Sequence, residues 1–385
     1  MTDNKFYSII DFGSSKVRFS VFNSKLDEEY SQSILVTDNY KENFENIKKI
    51  IKNGERKISN HIEEVILLLD SPNIFSIDIS FKKKIDTKTK TKKLYDLILM
   101  ELDQIINLNY IDFKIIHRII SKCKIDGKEY NEIPNNIKNV NNLIIDFKLI
   151  CLPKKLIDNL CKEFNKNNIK IANIFCTSYV KAVNYMRKVV EDKISFLEIG
   201  YSRSTLIVYE KNIIKLIQSI PIGGNHVTND ISKVFKISFD EAEKIKKLFN
   251  KSETEFSYKY DNNNYSNSIR DVLKKNISID ILKKVILYRI QEILDLTFKK
   301  SNISKYNIRL SETMLFLIGD GSNLFDNNSF YLNDKFQFKS LNFYSETDKD
   351  ICYSGLIFHL NNYKLSKTNN KKLGLFEKFF HFFSE

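Results

Sequence analysis

The sequence predicts an α/β fold built from two similar halves with a cleft between them. Near the N-terminus, an apolar strand at residues 6–10 leads into a polar turn at residues 11–16 and then into a second apolar strand at residues 17–22. The same order of strand, acidic residue, glycine-containing turn and strand recurs at residues 195–209, about 187 positions later. A repeated supersecondary unit of this kind is typical of a duplicated α/β fold.

The elements between the two repeats predict an insertion. Residues 65–69 and 314–318 are continuous apolar runs, typical of strands buried on both faces. The pattern then changes at about residue 76, where a Lys- and Thr-rich stretch is followed by an amphipathic helix at residues 94–106 and by two further strands. We therefore expect a small α+β subdomain at residues 76–155, inserted into the larger fold.

The composition narrows the class of protein. The 385 residues include 42% hydrophobic residues, enough for a sizeable core, and five cysteines without metal-site spacing, which favours a reduced cytoplasmic protein. We predict no signal peptide and no membrane-spanning helix. The net charge of +13 favours an anionic partner, either nucleic acid or anionic lipid, and a Lys-rich solvated surface is the alternative. No nucleic-acid-binding motif accompanies the charge, so we predict no nucleic-acid partner.

The first hairpin carries residues suited to a phosphate group. Its strand ends at Asp11, and the turn that follows contains Gly13, Ser14 and Ser15 before Lys16. Glycine and serine form tight turns whose backbone N–H groups can face a phosphate. We expect Lys16 to neutralise phosphate charge and Asp11 to hold hydrated Mg²⁺. An ordinary β-hairpin is the alternative, because a turn with Asp and Gly is common.

The second hairpin and the segment after it carry a family resemblance. Glu198 and Gly200 follow a strand in the same way, and two such hairpins across a cleft are the mark of the actin-like and sugar-kinase superfamily. Residues 221–231, Pro-Ile-Gly-Gly-Asn-His-Val-Thr-Asn-Asp-Ile, resemble the FtsA family at this place. Residues 241–246 and the helix at residues 286–296 are also similar to FtsA, so the resemblance covers nearly the whole chain.

The resemblance implies an actin-like ATPase fold, in which duplicated ribonuclease-H-like halves enclose a nucleotide cleft. It implies a first half made of residues 1–75, 156–192 and 345–360, with residues 76–155 in place of an actin subdomain. Residues 193–344 would form the second half, with residues 226–310 as its outer subdomain.

The resemblance also implies ATP and Mg²⁺ as cofactors. Asp11 and Glu198 would be the metal ligands, and the first hairpin with Gly200 would contact phosphate. The remaining nucleotide contacts would be the loop residues Gly223, Gly224 and Asn225, the adenosine-flanking pair Glu243 and Lys246, and Gly319, Gly321 and Ser322 over the adenine. Since Glu243 and Lys246 are three residues apart on a predicted helix, an ordinary surface ion pair is the alternative. His226 is expected to anchor the loop by a hydrogen bond rather than to act as a catalyst.

Two departures from the family affect turnover. The second hairpin keeps one of the three glycines usual in FtsA and has Tyr201, Ser202 and Arg203 instead. Cys176 stands where the family has an acidic or amide residue that positions water. We assign no catalytic residue and expect ATP binding with very slow hydrolysis or none. Complete loss of nucleotide binding is the alternative.

The C-terminus predicts a membrane contact. Residues 361–372 are polar and are predicted to form a linker, and residues 373–385 are predicted to form an amphipathic helix. A helix docked on the protein's own core or on a partner is the alternative. The residues expected to enter the membrane fill one half of the helical wheel: Leu373, Leu375, Phe376, Phe379, Phe380, Phe382 and Phe383.

By resemblance, the function is in cell division. We expect a filament-forming protein that tethers FtsZ to the inner membrane at the septum, with FtsZ, itself, anionic lipids and other division proteins as partners. It would lie peripherally on the cytoplasmic face at the division site. The alternative is a scaffold of type IV pilus assembly similar to PilM, which shares the small inserted subdomain. No substrate-site motif supports a metabolic kinase of the same superfold.

Overall fold

The computed structural model describes residues 5–37, 39–84, 91–130, 141–248, 277–299, 307–325 and 336–367. The chain divides into two compact units. The first comprises residues up to Val190 together with the segment from Thr347 onward, and the second comprises Glu191–Glu346.

The first unit is built on a five-stranded sheet with the order β3-β2-β1-β4-β9. Its strands are β1 (Tyr7–Phe12), β2 (Lys16–Phe22), β3 (Glu28–Leu35), β4 (Glu64–Leu69) and β9 (Lys170–Cys176). β1, β2 and β3 pair antiparallel, whereas β4 pairs parallel with both β1 and β9. β1, β2 and β4 are buried along nearly their whole length, as their continuous apolar runs predict.

Consecutive residues of a strand point to opposite faces of the sheet. Since consecutive residues of β2 are buried, both faces of this sheet are covered by helices. Phe19 in β2 faces α1 (Tyr40–Ile58), whose Gly54 lies against its ring. Phe22 points the other way and packs near Tyr353 of α8, with ring centroids 6.0 Å apart. The remaining helices of the unit are α3 (Lys154–Asn165), α4 (Thr177–Met186) and α8 itself (Asp348–Lys367).

A separate four-stranded antiparallel sheet also belongs to the first unit, with the order β5-β8-β6-β7. It contains β5 (Phe75–Lys84), β6 (Phe113–Ile125), β7 (Lys128–Tyr130) and β8 (Asn142–Pro153), and α2 (Thr91–Asn109) accompanies it. The buried α2 residues Ile98, Leu102 and Ile106 pack with Phe147 and Leu149 of β8 in a core of their own. These elements span residues 75–153, close to the range 76–155 predicted for an inserted α+β subdomain.

The second unit repeats the plan of the first, with a five-stranded sheet in the order β12-β11-β10-β13-β14. Its strands are β10 (Lys193–Ile199), β11 (Ser204–Glu210), β12 (Ile213–Ile220), β13 (Met314–Ile318) and β14 (Ser340–Phe343). The first three pair antiparallel and the last two join in parallel, as in the first sheet. The identical strand order confirms that the fold is duplicated.

Three helices cover one face of the second sheet: α5 (Gly224–Phe235), α6 (residues 239–248) and α7 (Ile279–Leu294). Their buried residues include Val227, Ala242 and Ile286, which pack with Leu197 and Leu317 of the sheet. A π-helical turn at Asp295–Lys299 and short 3₁₀ helices at Leu310–Glu312 and Asp320–Phe325 complete the unit.

The structure corrects the predicted linker. We expected it to start at residue 361, but α8 continues to Lys367. Polar residues do not end a helix without a breaking signal, and the stretch after Asn362 reads Tyr-Lys-Leu-Ser-Lys without proline or glycine. Residues 368–385, with the predicted membrane-binding side chains, lie outside the described residues. Among the described helices, none is long and apolar enough to cross a membrane.

Gly355 sets how closely α8 packs on β4. A Cβ atom at this position would lie 2.8 Å from both Cδ atoms of Leu68, which is fully buried. We expect Gly355→Val to lower the free energy of unfolding by about 1–3 kcal/mol, because the helix must move off the strand. Urea unfolding would measure this, with exposed Lys349→Ala on the same helix as the control. Equal stability of Gly355→Val and the unchanged protein would contradict the expectation.

Candidate functional site

The first hairpin is closed by a hydrogen bond from Gly13 N to Lys16 O at 3.1 Å. A Cβ atom at Gly13 would lie 2.8 Å from that carbonyl oxygen, so the turn requires glycine here. Ser14 is exposed at the tip and Ser15 is half-buried. The turn places Asp11 directly opposite Arg18 in the β1–β2 register.

Asp11 is almost completely buried and both of its carboxylate oxygens are engaged. Oδ2 accepts from Arg18 Nη1 at 2.8 Å, and Oδ1 accepts from Thr177 Oγ1 at 3.0 Å. Burial raises the pKa of Asp11, while Arg18, Thr177 and the buried Lys181 act in the opposite direction. The charge of Asp11 is therefore balanced by cationic side chains of the protein itself.

Lys16 pairs with the first residue of α8. Its Nζ lies 2.6 Å from Oδ2 of Asp348, and Arg18 Nε donates to the other oxygen of the same carboxylate at 2.6 Å. Burial acts to raise the pKa of Asp348, but the hydrogen bonds from Lys16 and Arg18 outweigh it and lower that pKa. The lysine predicted to neutralise a phosphate thus has a carboxylate partner within its own unit.

The second hairpin has the same closure, from Gly200 N to Arg203 O at 2.9 Å. Arg203 is 4% exposed, and its Nη2 lies 3.6 Å from Oε2 of Glu198. The Arg203 guanidinium also donates to Thr205 and lies 3.5 Å from the Ser219 hydroxyl. Here too a buried arginine faces the acidic residue of the hairpin.

The start of α5 lies against this second turn. Gly224 N donates to Gly200 O at 2.9 Å, and Asn225 N donates to Tyr201 O at 2.8 Å. A Cβ atom at Gly223 would lie 2.5 Å from Gly200 O, so only glycine allows this approach. His226 Nδ1 accepts from Gly223 N at 3.2 Å, which confirms its predicted role as a loop anchor.

The predicted pair on α6 is formed, and it reaches α5. Lys246 Nζ lies 2.7 Å from Glu243 Oε2 and also donates to Gly224 O at 3.0 Å and Thr228 Oγ1 at 2.8 Å. Lys246 is 7% exposed, so this is not the surface ion pair of the alternative interpretation. Burial lowers the pKa of Lys246, and the hydrogen bond that Lys246 donates to the Glu243 carboxylate partly offsets that effect.

The glycines after β13 pack against the end of β10. Gly319 has a φ of +85°, and a Cβ atom there would lie 2.7 Å from Ile199 O. At Gly321 a Cβ atom would lie 2.5 Å from Ile199 Cγ2. Ser322 Oγ donates to Gly319 O at 2.7 Å, and Gly319 N donates to Glu346 Oε2 at 2.9 Å. Small residues are needed here for packing within the unit.

The structure therefore groups the predicted residues in two places. The first unit brings Asp11, Gly13 and Lys16 to one hairpin. The second unit gathers the others around the end of β10 and the start of α5: Glu198, Gly200, Gly223, Gly224, Asn225, Glu243, Lys246, Gly319, Gly321 and Ser322.

Sequence reasoning missed three residues that contact these groups: Arg18, Thr177 and Asp348. A charged residue inside the buried β2 run was the available signal for Arg18. Thr177 and Asp348 carry no local signal, because they are 166 and 330 residues distant from Asp11 and Arg18 respectively.

Two polar atoms near the second turn are left without a protein partner. Among the described residues, Ser202 Oγ and Asn225 Oδ1 are buried atoms with no hydrogen bond. They belong to neighbouring segments, since Asn225 N bonds to the residue just before Ser202. Buried polar atoms of this kind ordinarily have a partner, so they are suited to hydrogen-bond a ligand.

The end of β9 carries no side chain able to orient water. Cys176 is 1% exposed, and its backbone N donates to His117 Nε2 at 2.9 Å. A thiol is a weak hydrogen-bonding group, unlike the acidic or amide side chain expected at this place.

The chain has relatives in sequence and in structure. A sequence profile of the family described as "Cell division protein FtsA" matches residues 196–340, which lie within the second unit. The cell division protein FtsA of Bacillus subtilis is 22% identical over 262 residues, 64% of this chain and 58% of that protein. That of Helicobacter pylori is 24% identical over 136 residues, 35% of this chain and 27% of that protein.

The chain is FtsA-like.

A solved structure of the PilM–PilN type IV pilus biogenesis complex matches the FtsA-like chain with a TM-score of 0.64. The match covers 92% of this chain and 98% of that one at 11% sequence identity. The likeness confirms the predicted actin-like fold. The chain spans less than two thirds of the length of these relatives: 58% of the Bacillus subtilis protein and 27% of the Helicobacter pylori protein.

His117 makes the stability of the FtsA-like chain depend on pH. Burial lowers the pKa of His117 from 6.5 to about 3. Between these values the unfolded chain binds the proton and the folded chain does not, so stability falls as the pH falls from 6.5 towards 3. We expect His117 to account for a loss of about 1 kcal/mol between pH 6 and pH 5.

Urea unfolding at both pH values would measure this loss in the unchanged protein and in His117→Gln, which keeps an acceptor for Cys176 N. The variant should lose less stability over this interval. The exposed His61→Gln is the control and should keep the full loss. If His117→Gln lost as much unfolding free energy between pH 6 and pH 5 as the unchanged protein, the prediction would be contradicted.

Proposed function

We propose that this protein is an actin-like cell-division scaffold that binds adenine nucleotide and turns it over very slowly or not at all. The observation that supports this most strongly is the FtsA match over residues 196–340. That stretch contains the second hairpin, the glycine loop at the start of α5, the Glu243–Lys246 pair and the Gly319 turn. The stretch matched by the FtsA profile therefore also holds most of the predicted nucleotide contacts, the others being in the first hairpin.

The second unit offers groups for a nucleotide. Ser202 Oγ and Asn225 Oδ1 lie unpartnered beside a turn, and Lys246 brings a nearly buried positive charge to the first residue of α5. Hydrogen bonds between charged groups and anions are about twice as strong as neutral ones. The Ser202 hydroxyl and the positive charge of Lys246 suit the phosphates of ATP, whereas Asn225 Oδ1, which only accepts, suits a ribose hydroxyl or the adenine amino group.

The same unit is poorly equipped for hydrolysis. In-line attack on a γ-phosphate needs an oriented water and preorganised donors. The backbone N–H groups of Gly200, Gly224 and Asn225 already donate to carbonyl oxygens of the protein. Each missing donor costs about 10²–10³ in rate. With no acid or amide at Cys176, binding without turnover is the expected outcome.

We expect calorimetry to detect ATP binding to the purified chain, and Lys246→Met to weaken it about tenfold or more, because the positive charge at the start of α5 and its bonds to Gly224 O and Thr228 Oγ1 are lost. Lys244→Met, exposed on the same helix, is the matched control and should bind as the unchanged protein does. Phosphate release should not exceed the rate without protein. Turnover of several ATP molecules per second, or equal affinity in both variants, would contradict the prediction.

The division role adds two further contacts to the proposal. Residues 373–385 would insert their Leu and Phe side chains into an anionic membrane, each worth about 1.5–3 kcal/mol when fully buried. Ordering the helix offsets part of this, so one tail should bind reversibly. Filaments of the chain would bind more firmly because their tails act together. The outer subdomain, residues 226–310, would receive FtsZ on the cytoplasmic face at the septum.

Co-sedimentation with anionic liposomes tests this role. We expect the full chain to carry FtsZ into the liposome pellet, because it provides both contacts. Deleting residues 373–385 should abolish the sedimentation of both proteins and leave FtsZ binding in solution intact. Glu377→Ala, on the polar half of the tail, is the control and should sediment. Equal sedimentation of full-length and truncated chains would contradict the membrane contact.

A scaffold of type IV pilus assembly is the second candidate. The match to the PilM–PilN complex over 92% of this chain favours it, but at 11% identity that match shows the fold alone. The liposome experiment separates the two functions. If FtsZ stays in the supernatant while the chain itself sediments, the pilus candidate gains and the division role fails.

A further inference from the structure

Each hairpin of this fold presents one carboxylate that the sequence predicts as a Mg²⁺ ligand, Asp11 in the first and Glu198 in the second. In the structure each of these carboxylates faces a buried arginine of the same unit. We infer that resident arginines replace the divalent cation in this chain, so that its binding of nucleotide needs no Mg²⁺. The nucleotide part of this inference rests on the proposed function.

In the first hairpin, both oxygens of the acid are engaged by side chains of the protein. Both oxygens of Asp11 accept short hydrogen bonds, from Arg18 Nη1 at 2.8 Å and from Thr177 Oγ1 at 3.0 Å. Mg²⁺ requires near-octahedral oxygen ligands and usually keeps several waters. The Asp11 side chain is 3% exposed and that of Arg18 10%, so there is little room for a hydrated ion beside them.

The surrounding charges also oppose a second cation. Lys181, itself 2% exposed, acts electrostatically on Asp11 from α4. Asp348, which shares Arg18 with Asp11, is held by both Lys16 and Arg18. A divalent ion at Asp11 would therefore face three positive side chains and two acids that are already paired.

In the second hairpin, the acid Glu198 is also paired with an arginine, but this arginine lies at a different position in the hairpin. Arg203 follows Glu198 by five residues and lies at the place in the turn that Lys16 holds in the first hairpin, since both carbonyls accept from the turn glycine. Arg18 instead lies opposite its acid on the neighbouring strand, where the second hairpin has Thr205. The two arginines thus occupy non-equivalent positions, yet each neutralises the acid of its own hairpin. Duplication of one ancestral hairpin would have placed them at equivalent positions.

The described residues offer no other metal position. In the parts of the chain that the structure describes, no group of three or more His, Cys, Asp or Glu side chains is arranged to hold a metal ion. The guanidinium group stays charged at any physiological pH and is donor-only, so it supplies fixed positive charge to a phosphate as a metal ion does.

The experiment compares ATP affinity of the full chain by calorimetry in EDTA and in excess Mg²⁺. We expect the two dissociation constants to agree within about threefold. A loss of about tenfold or more on chelation would overturn the inference. Arg18→Gln and Arg203→Gln should each make binding depend on Mg²⁺, whereas Arg118→Gln, in the separate four-stranded sheet, should not.

A second measurement uses Mn²⁺ alone, followed by electron paramagnetic resonance. We expect no protein-bound Mn²⁺ in the unchanged chain and bound Mn²⁺ in Arg18→Gln, where Asp11 is released. Mn²⁺ bound by the unchanged chain and lost in Asp11→Asn would overturn the inference. Absence of ATP binding both in EDTA and in Mg²⁺ would instead defeat the proposed nucleotide function, and the Mn²⁺ result would still decide the inference. If a variant fails to fold, the two measurements on the unchanged chain remain decisive.

Discussion

The carboxylate of Asp348 ties the two ends of the first unit together. It is the first residue of α8, and it accepts from Lys16 and Arg18 of the first hairpin, which lie 332 and 330 positions earlier in the chain. Arg18 in turn holds Asp11. The helix must therefore dock with its N-terminus over the hairpin, and the close approach of Gly355 to Leu68 makes that docking possible. Asp348 is only partly exposed, so its ion pairs are screened less than surface pairs are.

Burial explains why each hairpin carries an arginine. Taking a carboxylate out of water is costly, and the cost is met by neutralising the acid or by supplying a cation. A bound metal ion and a side-chain guanidinium are two ways to supply that cation. The arginine is part of the folded chain and needs no ligand in solution, so the hairpin keeps its charge balance whether or not nucleotide is present. On the inference above, the chain would also lack a group that polarises phosphate in related reactions, in line with the slow turnover that we propose.

Local pattern was enough to predict the strands of both hairpins, the buried strands β4 and β13 and the duplication, because apolar runs and their repeat lie in consecutive residues. The contact between Glu243 and Lys246 was also within reach, since i,i+3 spacing places them on one helix face. Its extension to Gly224 O was not, because that needs the packing of α6 on α5. The partners of Asp11 were out of reach for the same reason: Thr177 comes from α4, and only the fold brings it to β1. The linker was misjudged at residue 361 because polarity alone does not end a helix.

The second turn bears on the proposal that nucleotide is bound without being hydrolysed. A glycine-rich turn recognises phosphate through free backbone N–H groups. Here those of Gly224 and Asn225 instead fasten α5 to the turn, and Gly223 fits where no Cβ atom could. A ligand in this unit therefore has to be recognised by side chains, of which Ser202, Asn225 and Lys246 are suited. Side-chain contacts hold a ligand without surrounding its phosphate with fixed donors. In the proposed function, the backbone bonds that fasten α5 to this turn are thus also the reason why binding is expected without hydrolysis.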